Sequence, residues 1–331
     1  MAQYIRLGNS TLEIGTLDNQ PVTLIGQMYI GGVIGFINSA DAVVSIKNVR
    51  VKGELKLHRP VNGATGVLSG GFLGEVQAFS EITIENCASE VNVTATIEQS
   101  PTAGSRVFGG FLGRVWRTDS HRTGGILTIR NCYASGNINI SGNLSSGTSD
   151  IKAGGFIGDI TTWNYQNAVA TVLIEKSYSS GEVSIVNTGS GVGNIANGIG
   201  TGGLIGLIWQ TGDGTLDVTI RDCAAVGSKA LLPAGLDSLS VKDNQRLAGV
   251  SSSSQNATFS FSNNVVNSAM QIGTGTTYSE TGSDSAGTTK AGAGKSLATL
   301  RTQATWTTVL GWSSDIWDFS GLAQNKWPTL K

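Results

Sequence analysis

Gly70-Gly71-Phe72-Leu73-Gly74 returns unchanged as Gly109-Gly110-Phe111-Leu112-Gly113. With other apolar residues in the middle it is also Gly31-Gly32-Val33-Ile34-Gly35, Gly154-Gly155-Phe156-Ile157-Gly158 and Gly202-Gly203-Leu204-Ile205-Gly206. Successive copies lie 39, 39, 45 and 48 residues apart. Self-similarity at such a period marks a chain of stacked repeats, each burying its apolar face on its neighbour rather than around one globular core.

A second block follows each copy at variable distance: Ser45-Ile46-Lys47-Asn48-Val49, Thr83-Ile84-Glu85-Asn86-Cys87, Thr128-Ile129-Arg130-Asn131-Cys132, Leu173-Ile174-Glu175-Lys176-Ser177 and Thr219-Ile220-Arg221-Asp222-Cys223. A third, alternating run comes next, as in Glu90 to Ile97, Asn137 to Ile140 and Glu182 to Val186. Alternation over four to eight residues, rich in Val, Ile and Thr and bounded by Gly, Asn and Ser, predicts half-buried strands and not helix. Each repeat therefore reads as three short strands, with length variation confined to loops such as Arg117 to Gly125 and Asn164 to Ala168. Constant strands with one elastic corner describe a coil of a β-helix. The expected fold is all-β, a right-handed parallel β-helix of about five to six coils.

Composition agrees: of 331 residues, 46 are Gly and 5 Pro, 39% are hydrophobic and 14% charged. That is enough apolar material for a narrow core running the length of a solenoid. A net charge of -1 offers no basic face for phosphates, so nucleic acid is not an expected partner. No run of about 18 apolar residues spans a bilayer. Met1 to Arg6 does not open a signal peptide, which leaves a trimmed chain, another export route or no export.

The Gly-apolar-apolar-Gly tetrads, literal in Gly203-Leu204-Ile205-Gly206, together with the Ile-x-Asn-Cys block, resemble the GLUG repeat of bacterial surface proteins over roughly residues 24 to 267. Such repeats also accompany the peptidase domain of some IgA-cleaving metallopeptidases. The resemblance implies an extracellular or cell-surface β-helix of adhesin-like character, and carries no catalytic site with it. The tail, with Trp306, Trp312, Trp317, Phe319 and Trp327, is similar to segments that close repeat regions of Bacteroidetes surface proteins. Its apolar area suits covering one open end of the stack, the alternative being carbohydrate binding by exposed tryptophans. The expected division is a repeat domain over 1–273, a Gly-, Ser- and Thr-rich linker or long loop over 274–295, and a capping segment over 296–331.

Cys87, Cys132 and Cys223 share one register with Val49 and Ser177 and read as a stacked inward column of reduced thiols. A Cys87 to Cys132 disulfide is conceivable at the coil spacing; zinc is disfavoured, with no C-x-x-C pair and with His58 and His121 outside the column. Asn48, Asn86 and Asn131, continued by Lys176 and Asp222, form a second column with a structural role at the corners.

Strand parity aligns Glu75, Arg114 and Asp159, flanked by Phe36 and Leu207, with Phe79, Trp116, Trp163 and Trp209 farther along the same face. Charges beside aromatics suit a sugar or a protein surface, so Glu75, Arg114, Asp159, Trp116, Trp163 and Trp209 form the candidate ligand strip. The bland alternative is a solvated ladder of paired charges with aromatics pinning the loops.

Enzyme signatures are missing. There is no H-E-x-x-H, no G-x-S-x-G beside either histidine, and no G-G-x-G-x-D calcium pattern. Asp119, Asp159, Asp213 and Asp217 share no register, although paired carboxylates would suit a lyase or glycosidase. Joined to what the resemblance implies, the expectation is a non-enzymatic, cell-surface or secreted adhesin-like module, with no catalytic residue, cofactor or metal. Its partner is a glycan or a host or cell-surface protein, and self-association through the solenoid ends stays open. The rivals are a carbohydrate-active β-helix enzyme and a stalk or filament subunit.

Overall fold

The structure, a computed structural model, describes residues 11–14, 22–26, 29–38, 43–59, 66–97, 104–117, 124–144, 150–162, 169–189, 198–210, 213–233, 241–252, 256–273, 276–277 and 286–331. Among these the chain is all-β with parallel sheets, and a strand pairs with its counterpart in the next repeat. The second block builds a seven-stranded sheet: Thr11–Ile14, Val43–Lys47, Glu81–Glu85, Gly125–Arg130, Val169–Glu175, Thr215–Arg221 and Ala257–Ser262, in sequence order. The third run contributes Arg50–Arg59, Ala88–Ile97, Ile138–Gly142, Val183–Asn187 and Lys229–Leu231 to a 13-stranded sheet.

Each repeat holds one more principal strand than the three expected. Val67–Gly70, Ser105–Gly109, Asp150–Gly154 and Ile199–Gly202, which precede the tetrads, belong to a six-stranded sheet of their own. A second six-stranded sheet contains Ile34–Asn38, Leu73–Ala78, Leu112–Arg117, Ile157–Thr162 and Ile205–Gln210. The tetrad therefore turns the corner between two sheets, its last two residues opening the strand of the second. Glycine is required there by close backbone approach: a Cβ on Gly70 would come within 3 Å of Leu73 O, Gly113 N and Phe111 O, and one on Gly71 would collide with Gly110 O and Ser89 Oγ. The apolar residues between the glycines fill the interior. Phe72, Phe111 and Phe156 stack at 4.5 and 4.8 Å between ring centroids.

Two other columns are corners of a different kind. Asn48, Asn86, Asn131, Lys176, Asp222 and Asn263 all adopt positive φ, between 47° and 56°. Asn and Asp tolerate this left-handed conformation best after glycine, which explains their recurrence. One residue later come Val49, Cys87, Cys132, Ser177, Cys223 and Asn264, all buried. The three thiols are free. Each polar member of the column from Cys87 to Cys223 donates to the carbonyl two residues back, as from Cys132 Sγ to Arg130 O at 3.1 Å and Ser177 Oγ to Glu175 O at 2.9 Å. Cys132, Ser177 and Asn264 also accept from the repeat before: Cys87 N donates to Cys132 Sγ at 3.4 Å, Cys132 N to Ser177 Oγ at 3.1 Å and Cys223 N to Asn264 Oδ1 at 3.0 Å.

Asn263 and Asn264 reveal a sixth copy whose tetrad position reads Arg246-Leu247-Ala248-Gly249. Leu204 N donates to Leu247 O at 2.9 Å, as Phe156 N does to Leu204 O at 2.8 Å.

The stretch expected as a linker contributes Ala293–Lys295, which pairs in parallel with Val265–Asn267. Beyond it, Ser296 caps the helix Leu297–Leu300 by accepting from Thr299 N. Trp306, Trp312 and Trp317 are buried against Tyr133, Tyr178, Ala224 and Val265. These partners come from the third to the sixth repeats, so the segment runs along the side of the stack and is not confined to its end. Trp312 Nε1 donates to Asp222 O at 2.8 Å, and Tyr178 OH donates to Pro328 O at 2.6 Å.

Candidate functional site

Glu75, Arg114 and Asp159 align as parity requires: Arg114 pairs with Glu75 on one side and Asp159 on the other. They are not a solvent strip. Relative exposure is 0% for Glu75, 6% for Arg114 and 0% for Asp159. The reason is the strand before each Gly pair. Lys152, buried on Asp150–Gly154, reaches Asp159 Oδ2 at 2.9 Å and Asp150 Oδ2 at 3.3 Å, so the charges form a seam where the two six-stranded sheets meet.

Within the seam, Glu75 Oε1 accepts from Arg114 Nε at 3.0 Å and Nη2 at 2.8 Å. The Arg114 guanidinium lies 4.1 Å from the Trp116 ring centroid, and Lys152 Nζ lies 4.5 Å from that of Trp209. Trp116 and Trp209 are half-buried, each shielding a cation. Phe36 and Leu207 are buried beside them. Trp163 lies outside the described residues. Burial pushes the carboxyls of Glu75 and Asp159 up, against the downward pull of Arg114 and Lys152 respectively. Among the described residues Glu75 Oε2 and Asp159 Oδ1 are buried without a hydrogen-bond donor. The seam thus brings together five of the six expected residues, as an internal polar network.

A ladder that does face water lies on the seven-stranded sheet. Lys47, Glu85, Arg130, Glu175 and Arg221 are register neighbours from strand to strand, and their signs alternate. Glu85 is 3.5 Å from Lys47 and 2.9 Å from Arg130, while Arg221 is 2.6 Å from Glu175. Beside it run two more outward columns. One is Ser45, Thr83, Thr128, Leu173, Thr219 and Ser260; the other is Val43, Glu81, Ile126, Thr171, Asp217 and Thr258. Every side chain in these columns is half-buried or exposed, with Val43 at 41% and Ile126 at 48%. The ladder was signalled in the sequence by the residue before each Asn-column position, which is a charge in all five blocks.

A third cluster joins one face of the 13-stranded sheet to the tail. Tyr133 OH donates to Glu90 Oε1 at 2.5 Å and accepts from Arg50 Nε at 3.0 Å, while Lys52 pairs with Glu90 at 3.0 Å. Burial first, then the Glu90 hydrogen bond, pushes the phenol of Tyr133 well above its ordinary range. Its ring stacks on Tyr178 at 5.2 Å and meets Trp317 at 6.2 Å, so the cluster anchors the C-terminal segment. Among the described residues no three His, Cys, Asp or Glu side chains converge as metal ligands would. What the exposed geometry offers is contact: a periodic array of charges and hydroxyls carried by in-register strands. No family model, curated protein or solved structure matches this chain.

Proposed function

We propose that the chain is a right-handed parallel β-helix of six coils, of the GLUG-repeat type, that acts as a non-enzymatic adhesion module at a cell surface. Its contact surface is the outward side of the seven-stranded sheet, where it takes a glycan or a protein. The coil reading is supported by in-register pairing of each strand with its counterpart one repeat on. The hand follows from the strong preference of parallel crossover connections. The observation that carries the function is the ladder face, which the described residues leave half-buried or exposed. Its charges pair among themselves, and its hydroxyls repeat at the strand spacing of about 4.8 Å, which suits a partner that is itself extended or periodic. The Glu75 seam serves to hold two sheets together.

Glycan arrays and a panel of purified surface proteins, probed with the wild type, with Thr128→Arg and Ile126→Asp, and with Thr94→Arg on the other broad sheet, test this reading. Binding should fall tenfold or more, on the order of an interface hot spot, for the first two variants only. Equal binding by all four proteins would remove the face from the function.

A further inference from the structure

The sign pattern of the ladder selects a partner. Lys47, Glu85, Arg130, Glu175 and Arg221 read plus, minus, plus, minus, plus along the stack. We propose that the outward face of the seven-stranded sheet docks on the same face of a second copy of this chain; this rests on the surface reading above and narrows its partner to the chain itself.

Self-complementarity follows from symmetry. Consider a twofold axis that lies in the interface, parallel to the strands. It reverses the order of repeats and leaves each residue's position along the strand unchanged, so every column faces itself. If the axis falls midway between Glu81–Glu85 and Gly125–Arg130, Glu85 of one copy faces Arg130 of the other. Lys47 then faces Glu175. A ladder of one sign would repel its own image, and so would this one with the axis placed on a strand; only a midway axis sets every Glu against a cation. In the same register Thr83 meets Thr128, Val43 meets Thr171 and Glu81 meets Ile126, so no like charges oppose each other in the neighbouring columns.

The face is large enough for a weak, specific dimer. Six strands about 4.8 Å apart and six residues of about 3.3 Å give roughly 600 Å² per copy. The total of roughly 1,200 Å² is at the low end for specific interfaces, and suits a micromolar, salt-sensitive association.

Sedimentation equilibrium and native mass measurement on the full chain test this at low and high salt. A dimer should form in the micromolar range, with affinity falling tenfold or more as salt is raised to about 0.5 M. Glu85→Arg with Glu175→Arg makes the ladder wholly positive; Lys47→Glu, Arg130→Glu and Arg221→Glu together make it wholly negative. Each variant alone should be monomeric, and an equimolar mixture should recover the dimer. If the single-sign ladders do not fold, cross-linking decides: Thr83→Cys mixed with Thr128→Cys should give a disulfide-linked pair in high yield, and Thr83→Cys mixed with Thr94→Cys should not. A wild type that stays monomeric at about 100 µM in low salt, or cross-linking indifferent to position, overturns the proposal. A monomer that still binds a glycan or another protein through Thr128 and Ile126 leaves the surface reading standing, whereas one that binds neither removes both.

Discussion

A single position in the thiol column shows how narrow the local demand is. Cys132 is buried, accepts from Cys87 N and donates to Arg130 O, and Ser177 makes the same pair of contacts one repeat later. Cys132→Ser should therefore change stability by no more than about 1 kcal/mol, whereas Cys132→Val strands the Cys87 amide and should cost about 1–3 kcal/mol in urea titration. Equal losses for the two would mean that shape alone matters there. Apolar volume and register were legible in the sequence at this column, but the hydrogen bonds were not, because Val49 at the first position conceals the need for a donor and acceptor. The neighbouring Asn column was legible as a corner without its φ. At Asn131, with φ 53°, Val should cost about 1–2 kcal/mol and Gly much less. Burial also pushes the Cys223 thiol up to about 12, so native alkylation at neutral pH should be slow and become fast only on unfolding.

At the scale of elements, the sequence shows which residues align and hides which side meets water. Parity placed Glu75 beside Arg114 and Arg114 beside Asp159 correctly. Whether that side is wet depends on the strand before each Gly pair, and Asp150-Ile151-Lys152-Ala153-Gly154 carries two charges in five residues, which masks it as a buried strand. Burial of the seam has a consequence for pH. The Glu75 carboxyl is raised in the folded state, so the folded protein holds a proton that the unfolded chain releases first. Its contribution to stability is then full below the ordinary carboxylate pKa and is lost as pH rises through the folded value. Replacing Glu75 by Gln removes that slope. In chemical denaturation between about pH 3.5 and 7, the wild type should gain on Glu75→Gln as pH falls. A difference that is flat with pH, or that grows toward neutrality, would show that Arg114 dominates and holds the carboxylate ionised.

For the molecule as a whole, the C-terminal segment decides how the repeats share stability. Stacked repeats couple to their nearest neighbours, so a cap on one end protects that end, whereas a strap along the side ties several repeats together. The tryptophan-rich tail was legible as apolar cover, but its seat was not, because the outward column that receives it reads Ala88, Tyr133, Tyr178, Ala224 and Val265, without obvious periodicity. Trp306 and Trp317 are buried there, and Asn263 Nδ2, Trp312 Nε1 and Tyr178 OH each bond across the join. Removing residues 296–331 should uncover that column, lower the melting temperature and induce binding of a hydrophobic dye, while parallel pairing elsewhere keeps the β circular dichroism. Amide hydrogen exchange separates strap from cap. In the truncated chain Tyr133–Ala134, Tyr178–Ser179, Ala224–Ala225 and Val265–Asn267 should all lose protection together, because each loses a contact with the segment. Acceleration confined to Ala257–Ser262 and Val265–Asn267, with Tyr133 and Tyr178 still protected, would place the segment's effect at the end of the stack and defeat the strap.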